Sequence, residues 1–284
     1  MLFGFTVAKI RPQTKQTSRT NTVSNDLFCV KDQVALITGG SRGIGKGIAA
    51  GFVDRGAKVI ICSRDEEVLK STTAELAKNG GQASWLVCDV AKPDDIKACV
   101  ANVIQEHGRI DILINVAGVN RRKKAETVTE EDYDFILGIN LKGAFLMCQE
   151  VGRHMIQQGS GVQINIESLN TYAPLKGVAP YAMSKGGMAM MTRTLAMEWG
   201  PHNVRVNSLC PGFILTDLTN KLWSDPTMQD WADKNTPLKR LGVPEDMIGA
   251  SVFLASKASA FMTGQCMYVD GGVSAGINWP IPLD

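Results

Sequence analysis

Seven short runs rich in branched and aromatic residues, VALIT (34–38), KVIIC (58–62), SWLVC (84–88), DILI (111–114), VQINI (162–166), VRVNSL (204–209) and CMYV (266–269), alternate with segments of helical periodicity. The runs are too short for helices and read as strands. Ile96, Cys99, Val100, Val103 and Ile104, behind the start Pro93-Asp94-Asp95, show the three-and-four spacing of an amphipathic helix. Near-continuous apolar strands separated by helices require a parallel sheet covered on both faces. The pattern predicts a single α/β domain, a doubly wound seven-stranded parallel sheet flanked by helices on both faces, with its ligand crevice at the carboxyl ends of the strands. A chain of 284 residues with 44% hydrophobic content is long enough to bury such a core, and no repeat or linker divides residues 30–272. The domain is expected over 29–284. Residues 1–28, rich in Ser and Thr with no acid before Asp26, read as a flexible N-terminal extension, with an organellar transit peptide as the alternative.

Composition excludes several classes of function. Thirty Lys and Arg against 28 Asp and Glu give a net charge of +2, and no aromatics are interleaved with the basic residues, so nucleic acid is not an expected partner. No apolar stretch reaches the roughly 18 residues of a membrane span. The seven cysteines are scattered singly in apolar segments and read as reduced core thiols of a cytoplasmic protein. His107, His154 and His202 lie apart from one another and from any Cys or acidic cluster with ligand spacing, so no metal is expected.

The first strand ends in Thr38-Gly39-Gly40-Ser41-Arg42-Gly43-Ile44-Gly45 and leads into the helical run GKGIAAGFVDRG. Glycines there permit a tight turn and close approach to a pyrophosphate, which the free N–H groups of the helix start attract. Between the first strand and first helix of an alternating chain, this is a dinucleotide site. The second strand ends Cys62-Ser63-Arg64, where an acid would bind the ribose 2′-hydroxyl of NAD. Ser63 takes that place, and Arg64 and Arg42 are near enough in sequence to meet a 2′-phosphate, so NADP(H) is the preferred cofactor. Asp65 stands one residue late and keeps NAD(H) open as the alternative.

Two pairs, Tyr172/Lys176 and Tyr181/Lys185, have the spacing that puts an ammonium beside a phenol on one helix face. Pro174 falls inside the first pair, where it would break a helix, whereas Pro180 precedes Tyr181 and suits a first turn. Tyr181 and Lys185 are therefore the acid–base candidates. Ser168, at the end of the VQINIES run, can converge on the same cleft.

The Gly-x3-Gly-x-Gly turn and the Tyr-x3-Lys pair, together with Asp89-Val90, Asn115-Val116-Ala117-Gly118, Asn140 and Pro211-Gly212-Phe213-Ile214-Leu215-Thr216, make the chain resemble the short-chain dehydrogenase/reductase family over about residues 30–272. The resemblance implies a Rossmann-type oxidoreductase that is usually a homotetramer, a dimer being the lesser alternative. It implies a catalytic tetrad of Asn140, Ser168, Tyr181 and Lys185. Tyr181 would give its proton to a ketone oxygen that Ser168 also bonds, Lys185 would reach the nicotinamide ribose, and Asn140 would position a water leading to Lys185. It also implies that Asp89, Val90 and Asn115 lie near adenine and its supporting turn, that Ala117, Gly118, Pro211 and Gly212 line the dinucleotide site, and that Ile214 and Thr216 contact the nicotinamide amide. Two residues depart from the family pattern: Val116 replaces an Asn, and Glu167 stands where a second Ser often precedes the catalytic one.

The loop Val119-Asn120-Arg121-Arg122-Lys123-Lys124 leaves the fourth strand beside the predicted cleft and suits a carboxylate-bearing or polyhydroxylated substrate, or is simply a solvated loop. This loop and the tail from Ala275 to Pro280 are similar to members acting on sugar acids and polyols, the gluconate 5-dehydrogenase-like subgroup. The reaction expected is interconversion of a ketone and a secondary alcohol on such a substrate. A 3-oxoacyl-carrier-protein reductase and a non-catalytic dinucleotide-sensing protein are the alternatives, the intact tetrad opposing the second. Residues 216–237 are expected to form a helical lid, with Trp223 and Trp231 as candidate wall residues.

Overall fold

The computed structural model describes residues 27–277. Nearly all of the expected extension at 1–28, and the tail from Asn278 onward, lie outside the described residues. Seven parallel strands, β1 (Val34–Thr38), β2 (Lys58–Ser63), β3 (Ala83–Val87), β4 (Ile112–Asn115), β5 (Gly161–Ile166), β6 (Val204–Pro211) and β7 (Cys266–Val269), form one sheet in the order β3-β2-β1-β4-β5-β6-β7. The strand ends move by one or two residues from those expected because ladder partners set them. Val87 pairs with Ser63, and Asn115 with Thr38.

Side chains alternate across the sheet, so each strand feeds two cores. Ala35 and Ile37 of β1 pack with Ile48 and Phe52 of α1 (Gly43–Val53), and with residues of a helix near the C-terminus, Ile248–Ala255. Leu36 faces the other way, into the cluster that holds Val100 and Val103 from the helix Pro93–His107 and Met147 and Val151 from the helix Ala144–Gln158. Fully buried side chains such as Leu36 and Ile37 each contribute about 1.5–3 kcal/mol relative to exposure. Residues 93–107 form the expected helix, which begins with its proline and closes on Gly108 in the left-handed region. In chain order the helices used below are α1, α2 (Glu66–Leu76), α3 (Pro93–His107), α4 (Glu130–Leu137), α5 (Ala144–Gln158), α6 (Ala179–Trp199), α7 (Asn220–Trp223), α8 (Pro226–Asn235) and α9 (Ile248–Ala255). No helix among the described residues is long and apolar enough to cross a membrane.

Strand order reverses between β1 and β4, and the chain leaves both strands at the same edge, where Thr38 is in register with Cys62 on one side and Asn115 on the other. A crevice opens at that switch point. The Thr38 hydroxyl accepts the N–H groups of Val116 and Ala117, at 3.1 and 3.2 Å, and pins the loop after β4 against the turn after β1.

Candidate active site

The glycine turn is closed on itself. Gly39 has φ +64°, a left-handed conformation, and a Cβ there would lie 2.8 Å from the Ala117 nitrogen; a Cβ on Gly45 would lie 2.3 Å from the Gly39 carbonyl oxygen. α1 starts at Gly43 from an extended Arg42 without a side-chain cap, so its first-turn N–H groups remain available to an anion. The crevice, about 690 Å³, is lined by Gly39, Ser41, Arg42, Ser63, Arg64, Asp89, Val90, Ala117 and Gly118 among others. Gly43 faces Thr216, whose methyl lies 3.4 Å from a Cβ built on that glycine. Ile44 packs against the core under α1, and Ile214, 5% exposed, bridges to Gly242. Gly212, following Pro211, lies so close to Asp270 that an added Cβ would be 2.6 Å from its Cα. These residues fit a dinucleotide: a backbone cradle at a helix start for the pyrophosphate, and no acid at the end of β2 to exclude a 2′-phosphate.

Asn115, expected near adenine and its supporting turn, ends β4. Its side chain is buried and turned into the sheet, where Nδ2 donates to Asn165 Oδ1 at 3.0 Å and to Cys148 Sγ at 3.1 Å. Asn165 in turn donates to Thr192 Oγ1 at 2.9 Å, and Thr192 and Ser208 share a 2.8 Å hydrogen bond. This buried chain ties β4, β5 and β6 to α6 and so fixes the helix that carries Tyr181 and Lys185. Its only trace in the sequence is polar residues at buried positions of otherwise apolar strands.

Asp65 borders the crevice, yet its carboxylate is committed. One oxygen accepts the Val68 N–H to cap α2, and the other pairs with Arg42 Nη2 at 3.1 Å. That exposed pair is worth about 1 kcal/mol or less, so Arg42 is free to turn to a phosphate. Arg64 is exposed on the crevice wall and makes no ion pair among the described residues.

α6 begins at Ala179 with Pro180 in its first turn, as the spacing requires, whereas Tyr172 lies outside a helix, 70% exposed against Tyr268. Ser168 Oγ accepts from the backbone N–H and Nδ2 of Asn170, at 3.2 and 3.1 Å, which leaves its own proton to donate elsewhere. Burial raises the Tyr181 phenol above its ordinary value; the Ser168 hydrogen bond and the charge of Arg122 oppose this. Arg122, from the basic loop, is a cation near the phenol that the spacing of Tyr181 and Lys185 did not indicate. Lys185 is 3% exposed, donates from Nζ to the Ile166 carbonyl at 2.7 Å, and sits 5.7 Å from the Tyr181 ring centroid. Burial lowers its pKa to about 8, with the Glu167 carboxylate opposing the shift.

Between α4 and α5 the chain makes a π-helical turn, Gly138–Gly143, of the kind that often marks functional sites. It carries Asn140, which is fully buried. Oδ1 accepts the Val119 N–H at 2.8 Å, while Nδ2 donates to the Val119 carbonyl at 2.9 Å and to Ser184 Oγ at 3.2 Å. Gly118 lies between Asn140 and Lys185: a Cβ there would be 3.4 Å from Asn140 Oδ1 and 3.8 Å from Lys185 Nζ. The four expected catalytic residues thus gather at the carboxyl ends of β4 and β5 under α6.

Three features singled out in the sequence take definite places. Glu167 turns inward, away from the cleft, and is 2% exposed. In the basic loop, Arg121 and Lys123 both pair with buried Asp132, whose carboxyl they hold well below its usual range, and Arg121 also lies over Phe135. Only Arg122 and Lys124 of the four cations stay unpaired among the described residues. In the lid segment, Trp223 and Trp231 each pack edge-on against Phe213, at 5.3 Å, so they brace α7 and α8. Val116, where the family has Asn, packs into the core beneath α1.

A nucleotide-sized crevice at the switch point, next to a Tyr–Lys–Ser–Asn cluster, defines a dinucleotide-dependent oxidoreductase of Rossmann type. The chain belongs to the short-chain dehydrogenase/reductase family. The family profile described as Enoyl-(Acyl carrier protein) reductase matches residues 39–274. Gluconate 5-dehydrogenase of Gluconobacter oxydans is 39% identical over 252 residues, covering 89% of this chain and 98% of that protein. D-threitol dehydrogenase of Mycolicibacterium smegmatis is 38% identical over 86% of this chain and 94% of its own length. The solved structure of a gluconate 5-dehydrogenase from Burkholderia cenocepacia, in complex with NADP and tartrate, superposes with a TM-score of 0.86 at 36% identity, over 89% of this chain and 99% of that one. The protein is an enzyme acting on CH–OH and C=O groups.

Proposed function

We propose that this enzyme interconverts a secondary alcohol and a ketone on a small polyhydroxylated acid, a sugar acid or keto-sugar acid, using NADP(H) in preference to NAD(H). The observation that carries the substrate reading is Arg122: an exposed cation, without an ion pair among the described residues, close enough to Tyr181 to favour its ionised form. A substrate carboxylate has a partner there while its carbonyl lies at Tyr181. The names of the relatives, gluconate 5-dehydrogenase among them, support the same class. The runner-up, reduction of a 3-oxoacyl group on an acidic carrier protein, is the named activity of Chlamydia pneumoniae and Chlamydia muridarum relatives at 39% identity. Docking an acidic protein calls for a broad positive patch, and Asp132 ties down two of the loop's four cations and offsets one unit of their charge.

A bound nicotinamide supplies or receives the hydride. In reduction, Tyr181 donates its proton to the carbonyl oxygen and Ser168 bonds the same oxygen as negative charge develops. Lys185 holds its ammonium beside the phenol and within reach of a ribose hydroxyl, and Asn140 braces the turn that brings Gly118 next to Lys185. For the 2′-phosphate, Arg64 and Arg42 supply the charge and Ser63 a hydroxyl; Asp65, tied to α2, leaves the position without a free acid. The segment 216–237 acts as the lid, anchored through Phe213. Exposed Met183, Met190 and Met197, seven residues apart on α6, offer one apolar face for a second copy and support a homotetramer. Free cysteines throughout support a cytoplasmic location.

The test is a panel of keto-sugar acids, polyols and 3-oxoacyl thioesters, assayed with NADPH, NADH and the oxidised forms, in wild type and Arg122→Ala. Turnover of a sugar acid with NADP(H), and a KM raised at least tenfold by the substitution, is the expected result. A thioester preference unaffected by Arg122→Ala would overturn it.

A further inference from the structure

We propose that Glu167, Cys210 and Cys266 form a binding site for a thiophilic divalent cation of the zinc type, behind the catalytic groups. The three side chains come from the carboxyl end of β5 and from β6 and β7, strands that lie side by side in the sheet. Glu167 follows β5 directly and is one of the two residues at which the chain departs from its family's pattern. Its buried carboxylate receives the Thr171 hydroxyl at 3.0 Å and the Cys210 thiol at 3.5 Å on one oxygen, and the Cys266 thiol at 3.7 Å on the other. The three ligand atoms all lie within 4.8 Å of one another.

Those separations suit a metal. Zinc binds thiolate at about 2.3 Å and carboxylate oxygen at about 2.0–2.2 Å in a tetrahedron. Such a tetrahedron has sulfur–oxygen edges of about 3.6 Å; the two observed distances, each to a different oxygen of the carboxylate, are close to that value, and the carboxylate turns to present one oxygen to the cation. Thiols also donate to carboxylates at such distances, so the arrangement serves as a closed resting form that a cation can replace. On loading, each thiol gives its proton to solvent. The cluster then holds a dication, two thiolates and a carboxylate, with the same single negative charge as the carboxylate with two thiols. The field felt by Lys185 is therefore preserved, and a fourth position remains for water on the side of half-buried Cys266. A cation there cross-links the ends of three strands immediately behind Ser168.

A second cluster, Cys62, Cys88 and Cys99, also holds three ligand atoms within 4.8 Å and provides the internal control. The full-length enzyme, stripped with a chelator, is titrated with Co²⁺ as the spectroscopic probe and with Zn²⁺ against a chromophoric chelator. Expected are one ion per chain, a thiolate-to-cobalt charge-transfer band, release of about two protons per ion, and a raised melting temperature. The band is expected to vanish in Cys266→Ser and in Glu167→Gln and to survive in Cys99→Ser. X-ray absorption of the zinc-loaded wild type, which needs no variant to fold, is expected to show two sulfurs and two lighter atoms. Three sulfurs in the shell, a band lost in Cys99→Ser but kept in Cys266→Ser, or no ion retained by the folded protein overturns the site.

Discussion

Replacing Lys185 by methionine separates what the lysine does for chemistry from what it costs the fold. The ammonium is 3% exposed and titrates near about 8 in the folded protein, against an ordinary value of 10.5. A folded-state pKa below the unfolded one means that folding disfavours the proton. The difference amounts to roughly 3 kcal/mol, at about 1.36 kcal/mol per pH unit. The cost is fully present below about pH 8 and disappears as pH rises toward 10.5, because over that interval the unfolded chain binds the proton and the folded one does not. Methionine fills similar space without a charge, but it leaves the Ile166 carbonyl without the lysine's hydrogen bond, an offsetting loss of about 1–3 kcal/mol. At pH 7 Lys185→Met is therefore expected to match or exceed wild-type stability while losing activity. From pH 8 to 10.5 wild type is expected to gain about 3 kcal/mol on the variant. Urea unfolding of both proteins across that pH range measures the difference directly. A difference that stays flat with pH, or that moves in the variant's favour, refutes the assignment of a desolvated ammonium at this position.

Three further substitutions address the site. Tyr181→Phe is expected to lower kcat by at least about 10²-fold with dinucleotide affinity retained, since only the proton donor is removed; stopped-flow and binding measurements separate the two. Arg64→Ala is expected to weaken NADPH binding far more than NADH binding in a fluorescence titration, and equal losses would reject its role at the 2′-phosphate. Gly45→Ala puts a Cβ 2.3 Å from the Gly39 carbonyl oxygen. The turn has to shift, so dinucleotide binding is expected to be lost and stability to fall by about 1–3 kcal/mol, read by fluorescence and by melting.

The rejection of Tyr172 in favour of Tyr181 was legible because proline acts on its own helix turn, a local constraint that needs no neighbour. The helix start at Pro93 and the glycine turn after β1 were legible for the same reason. Strand limits were less so: β6 runs to Pro211 because its register with β7 carries the ladder that far. The basic loop was visible as four cations, but Asp132, which pairs two of them, is brought to them by the fold of α4.

By itself the sequence determined the alternation of strands and helices, the parallel sheet that alternation demands, the dinucleotide crevice at its edge, and the candidate Ser, Tyr, Lys and Asn that gather beside it. Each is written in periodicity, in glycine and proline, or in short spacings, which act over a few residues. Tertiary structure alone decided the roles that depend on distant residues meeting. Asn115 is spent on the Asn165–Thr192–Ser208 chain, Arg122 comes from the basic loop to act on the Tyr181 phenol, and Glu167 turns inward to meet Cys210 and Cys266. These residues come together only once the strands are paired, because burial and the ladder register, which no local pattern encodes, set which side chains share a dry interior and so which charges and hydrogen bonds must be satisfied there.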